Sequence, residues 1–179
     1  VGNAGVSASG NSFGASIDTV VYNKTVSAEI AEDTVLEAAD VQVLVNSDDR
    51  YIAVVVGVGA SAGKNAVNGS ASVTVMTNRV TAAMGNGVTI TAQGITVDAA
   101  QQQKHTLVAG SATLSNQNAV GAGAIVFTAG NTVTAKVGES STLNALDGQV
   151  VVQAVNDSDV SITAVAAGAS SSNAISGAV

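Results

Sequence analysis

The chain has no cysteine, proline or tryptophan, and aromatic residues make up 2 % of its 179 positions. Without cysteine there is neither a disulfide framework nor a thiolate metal site. So few aromatics leave no bulky globular core. The apolar share of 46 %, carried mainly by Ala and Val, calls for an architecture that buries small side chains efficiently, as thin stacked sheets do. Charge is scarce as well, at 11 % of residues and a net −7. The six Lys and Arg are scattered, so the clustered phosphate contacts that nucleic-acid binding needs are excluded. Long hydrophobic runs are also missing. The longest, residues 52–62, falls short of the roughly 18 residues of a membrane helix and contains Gly57, Gly59 and Ser61, so no membrane insertion is expected.

What the chain does have is a repeat. Asn11 (NSF), Asn65 (NAV), Asn118 (NAV) and Asn173 (NAI) open successive units of 54, 53 and 55 residues. A second marker keeps phase with the first: TVSAEI at Thr25, RVTAAM at Arg79 and TVTAKV at Thr132 each begin 14 residues after their Asn. Two markers in step over three units define an array. The units are 11–64, 65–117 and 118–172, with residues 1–10 closing a preceding unit and 173–179 opening a fourth. On this reading the chain is one continuous stretch of a longer array, begun and ended inside a repeat.

Within the units the pattern has a period of two. Val26, Ala28 and Ile30 alternate with Thr25, Ser27 and Glu29; Val80, Ala82 and Met84 alternate with Arg79, Thr81 and Ala83; Val133, Ala135 and Val137 alternate with Thr132, Thr134 and Lys136. Such alternation puts an apolar set inward and a mostly polar set outward on a strand. Short strands follow at Leu36/Ala38, Ile90/Ala92 and Leu143/Ala145, then at Val41–Val45, Ile95–Ala99 and Val150–Ala154. Two longer Ala/Gly/Val stretches close each unit. Glycine and β-branched residues, with no sustained 3.6-residue period, disfavour helix. The expected fold is all-β: a parallel β-helix, or β-solenoid, with about five strands and two coils per repeat. Each coil would hold about 27 residues, giving six to seven coils and a rod roughly 30 Å long. A string of separate small β-sandwiches is the alternative, but each would lack a core.

The run NTVTAKVGESSTLNALDGQVVVQAVNDSDVSITAVAAGA, residues 131–169, resembles the repetitive shafts of filamentous-haemagglutinin-type adhesins secreted by the two-partner route. The shared pattern is T-V-x-A, a glycine-containing turn, V/L-x-A, a second turn, then V-x-V-x-A. The resemblance implies a right-handed β-helix, an extracellular or bacterial cell-surface location, and a non-enzymatic structural role that holds a distal binding region away from the cell. The partners it implies are neighbouring repeats or subunits along the fibre axis, and host or bacterial surface glycans or proteins. Two other roles remain open: a filament subunit that stacks head-to-tail, and an adhesin whose exposed face binds a glycan or protein.

No residue is assigned a catalytic, cofactor-binding or metal-binding role, and no cofactor is expected. The recurrent Asn residues are read as turn residues. With two coils per unit they would stand about 10 Å apart, too far for an amide ladder. A second column, Asn23, Asn78 and Asn131, is read the same way. The acidic segments NSDD (46–49) and NDSD (156–159) are read as solvated turns rather than Ca²⁺ sites, because QQQK (101–104) holds that place in the middle unit. Asp48 and Asp49 beside Arg50 fall short of an opposed carboxylate pair. His105, the single His, is expected at the surface. Sequons at Asn23, Asn68 and Asn156 are no more than the composition yields. The Thr columns are too irregular for an ice-binding face. The aromatics Phe13, Tyr22, Tyr51 and Phe127 are spread along the sequence without a cluster, and Phe127 with Ile125 and Val151 is a candidate apolar strip for lateral association.

Overall fold

The computed structural model describes residues 2–179, and each of its repeats supplies one long, one short and one long strand. The first repeat gives β2 (Ser12–Ile30), β3 (Val35–Glu37) and β4 (Asp40–Ser61). The second gives β5 (Asn65–Met84), β6 (Thr89–Ala92) and β7 (Gly94–Ser115), and the third β8 (Asn118–Val137), β9 (Thr142–Ala145) and β10 (Val150–Ser170). Partial strands β1 (Gly2–Ser7) and β11 (Asn173–Ala178) lie at the two ends. All pairing is parallel, in three stacked sheets: sheet A in the order β1-β4-β7-β10, sheet B in the order β11-β8-β5-β2, and the small sheet C in the order β3-β6-β9. The fold is the expected parallel β-solenoid.

The coil is twice the expected size. Asp40 pairs with Gly94, Asn65 with Asn118 and Thr25 with Arg79, so each residue meets its counterpart in the next repeat. One coil therefore uses the whole repeat, not 27 residues. The separate strands read from sequence run together because nothing breaks them. Between Val45 and Ala53 there is no glycine or proline, and the burial of every second residue continues through the polar segment. A strand of 22 residues such as β4 extends about 70 Å, while three coils and a fraction rise only about 16 Å. The body is a broad flat ribbon rather than the expected slender rod.

The half of the cross-section beside sheet C is built as its pattern predicts. Val80, Ala82 and Met84 of sheet B face Ile95, Val97 and Ala99 of sheet A, all at most 1 % exposed. Val26, Ala28, Ile30, Val133, Ala135, Val137 and Leu143 pack onto this core from the coils on either side. The turn into sheet C keeps one backbone position in the left-handed region in every coil: Asp33 at φ 55°, Gly87 at 69° and Ser140 at 58°. Glycine takes that conformation without strain, and in the other coils Asp and Ser occupy it.

The other half, beside the Asn turns, is inverted. Sheet B there turns Ser70, Ser72 and Thr74 inward and Val67, Val73 and Val75 outward. In sheet A, Val56 and Val58 point outward while Gly57, Gly59 and Ser61 point in. Small inward residues let the two sheets approach closely. A Cβ added to Gly123 would lie 3.0 Å from the carbonyl oxygen of Val165, and the Ser16 hydroxyl donates across the gap to the Val56 carbonyl at 3.0 Å. The expectation that small apolar residues are sealed inside along the whole coil therefore holds only in part here. Val55, Ala66, Leu107, Ala109 and Ala119 are buried, but most valines of this half are on the surface.

Candidate functional site

The recurrent Asn residues form an amide ladder. Asn65 donates Nδ2–H to Asn11 Oδ1 at 2.8 Å, Asn118 to Asn65 at 2.7 Å, and Asn173 to Asn118 at 2.9 Å. The turn-only reading rested on two coils per unit. With one coil per unit the equivalent side chains stand one strand spacing apart, about 4.8 Å, which an amide spans. A companion column of serines was missed. Ser7, Ser61, Ser115 and Ser170 pair across sheet A, just before the Asn turns. The Ser61 hydroxyl donates to the Gly10 carbonyl of the coil below at 2.5 Å and accepts from the amide of Gly63; Ser115 does the same with Lys64 and Gln117. A Ser three or four residues ahead of each Asn was the available sequence signal.

The second Asn column holds only in part. Asn78 and Asn131 are in register, but their partner in the first coil is Lys24, and Asn23 sits one residue away on the outer face. These inward positions form one wall of a polar layer at mid-strand. Sheet A supplies Ser47 and Asp49, Gln101 and Gln103, Asn156 and Ser158 as the other wall. The acidic segments are thus interior stretches of β4 and β10, not turns. They match 101–104 with a shift of one residue for NSDD, since Asn46 pairs with Ala100.

Within this layer the Lys24 ammonium donates to Asp49 Oδ1 at 2.6 Å, and the Ser47 hydroxyl donates to Asp49 Oδ2 at 3.1 Å. Opposite charge and a hydrogen bond make the inward carboxylate tolerable. Asp48 and Arg50 point outward, which separates the two carboxylates onto opposite faces. Asn131 donates to Gln103 Oε1 at 2.6 Å, tying sheet B to sheet A.

His105 is 1 % exposed, not at the surface. Its ring lies between Tyr51, with centroids 6.4 Å apart, and Phe127, at 5.3 Å. Its Nε2 lies 3.4 Å from Gln103 Oε1. Burial pushes its pKa below the usual imidazole value, and the charge of Asp49 opposes that shift only in part. Tyr22, Asp49, Arg50, Tyr51, Met76, Asn78 and His105 line a cavity of about 120 Å³. Aromatics from different repeats therefore do meet. Coils one repeat deep place Tyr51, His105 and Phe127 side by side. That geometry removes the proposed strip of Phe127, Ile125 and Val151, since the first two point inward and Val151 lies outward on the opposite sheet.

Among the described residues, no three His, Asp or Glu side chains converge as a metal site would require. Of the sequons, Asn68 is buried in a slot bounded by Gly14, Gly57 and Gly59. Comparison with known proteins finds no matching family model, curated protein or solved structure.

Proposed function

We propose that this chain is a shaft segment of a long exported bacterial surface fibre of the filamentous-haemagglutinin type, holding a distal binding region away from the cell. The observation that supports this reading most is the coil-to-coil uniformity. Backbone pairing, the Asn ladder and the Ser column pass from each coil to the next without a shift of register. Repetition of this kind suits a body that carries load along an axis. The same uniformity favours a second reading, a subunit that stacks head-to-tail, because outer coils offer the template that inner coils use.

Immunogold electron microscopy on producing cells, with antibody to this chain, tests the role. Label along fibres projecting from the surface is expected; label confined to the cytosol would sink it. The mass of the fibre material after denaturation separates the readings, with one very long polypeptide for a shaft and 17.3 kDa subunits for a stacked filament. In either case a single ribbon should weigh about 1.1 kDa per Å, from one 54-residue coil per strand spacing.

A further inference from the structure

The inverted half of the coil leaves apolar bulk uncovered on both broad faces. On sheet B, Phe13, Ile17 and Val21 are 67–68 % exposed, with Val126 at 55 % and Ile175 at 65 % above them. On sheet A, Val58 and Leu114 are 47 % and 62 % exposed, beside Val6 and Val165. Neither strip carries a charged side chain. The interior between the strips is too thin, and too rich in Ser and Gly, to supply this half with much hydrophobic burial of its own. We propose that a second copy covers these strips: sheet A of one ribbon packs face to face on sheet B of the next, with their axes parallel.

Three observations select this occupant and this pairing. The first is area. Each strip is about nine residues long and just over three coils high, or roughly 500 Å². Two opposed strips bury about 1,000 Å² in total, the lower bound for a specific interface, and every further coil adds to it. The second is registration. Both strips border the Asn turns, so moving one copy sideways without rotation lays apolar strip on apolar strip and the sheet C halves on one another. The third is charge. In the sheet C half, the outer face of sheet A carries Asp40, Asp48, Asp98, Asp157 and Asp159, offset only by Arg50 and Lys104. The outer face of sheet B carries Arg79 and Lys136 against Glu29. A-on-B therefore sets an acidic face against a slightly basic one, whereas A-on-A would oppose two acidic faces. Pairing of unlike faces does not close on itself, so ribbons would add side by side without limit.

The test uses sedimentation velocity on the whole chain over a wide concentration range, with two double variants. Val58→Lys with Leu114→Lys blocks sheet A, and Ile17→Lys with Val126→Lys blocks sheet B. All four side chains point outward, and circular dichroism confirms that each variant retains its strand signal. The parent chain should associate progressively. Each variant alone should lose association by about a hundredfold, because a lysine would be buried without a partner. Mixed together, the two variants should form one-to-one pairs and stop there, since each keeps one intact face. A parent chain that stays monomeric at all concentrations overturns the proposal, as does a mixture that fails to pair. Loss in only one of the two variants would show like-face pairing, and preferential uptake onto neutral lipid vesicles would show a lipid occupant; either refutes it.

Discussion

Replacing Asn118 separates a ladder from a set of independent turn residues. This side chain donates to Asn65 and accepts from Asn173, at 2.7 and 2.9 Å, whereas Asn11 only accepts, from Asn65. A hydrogen bond of this kind contributes about 1 kcal/mol net, so Asn118→Ala should destabilise the chain by about 2 kcal/mol and Asn11→Ala by about 1. Asn118→Asp is the more pointed substitution. It keeps an acceptor for Asn173, loses the donor to Asn65, and sets a carboxylate against that residue's amide oxygen. It should therefore fall between the parent and the alanine variant. Guanidinium unfolding, with the slope constant across variants, gives these differences from the midpoints. A double-mutant cycle on Asn65 and Asn118 should return a coupling of about 1 kcal/mol. Equal losses at Asn11 and Asn118 with no coupling would refute the ladder as an energetic unit and return these residues to turn formation alone.

Three further outcomes are expected. Ala82→Phe places a ring in the filled core beside sheet C and should cost about 3 kcal/mol by thermal or chemical unfolding, whereas the outward Lys136→Thr should change stability by no more than about 0.5; comparable losses would contradict the assignment of faces. Thr74→Val removes a fully buried hydroxyl that has no hydrogen-bond partner among the described residues and should stabilise by about 1 kcal/mol in the same assay; destabilisation would show that the hydroxyl is satisfied. Because burial lowers the pKa of His105, the unfolded chain binds its proton more readily, so stability should fall as pH drops below about 6.5 and level off once pH is below the folded-state value; His105→Gln should remove that step, and an unchanged pH profile would argue against it.

The legible part of the fold was the part where chemistry and direction agree. Val80, Ala82 and Met84 are apolar and inward, so their alternation disclosed both strand and face. The phase of TVSAEI, RVTAAM and TVTAKV marked the register that the sheets adopt, with Thr25, Arg79 and Thr132 in one row. Coil size was not legible, because Ser47, Asp49, Gln101 and Gln103 look like turn residues. Tertiary pairing makes the inward placement tolerable at Asp49, through Lys24, and at Gln103, through Asn131, while the buried Gln101 amide has no hydrogen-bond partner among the described residues. The misjudged coil then hid the Asn ladder and put His105 on the surface. The inverted half was hidden for a different reason. Alternation shows that two faces differ, but it does not say which one is inside when the inner positions are mostly Gly, Ala, Ser and Thr and the outer ones valine.

A coil that consumes a full repeat per strand spacing spends polypeptide on breadth rather than reach. The cross-section, about 70 Å by about 20 Å, is that of a plank. Resistance to bending grows with the square of depth at fixed cross-sectional area, so such a body should flex about tenfold more readily across its thin dimension than within its wide one. Under flow it would curl or twist along one preferred direction, turning its two broad sides toward whatever lies next to it.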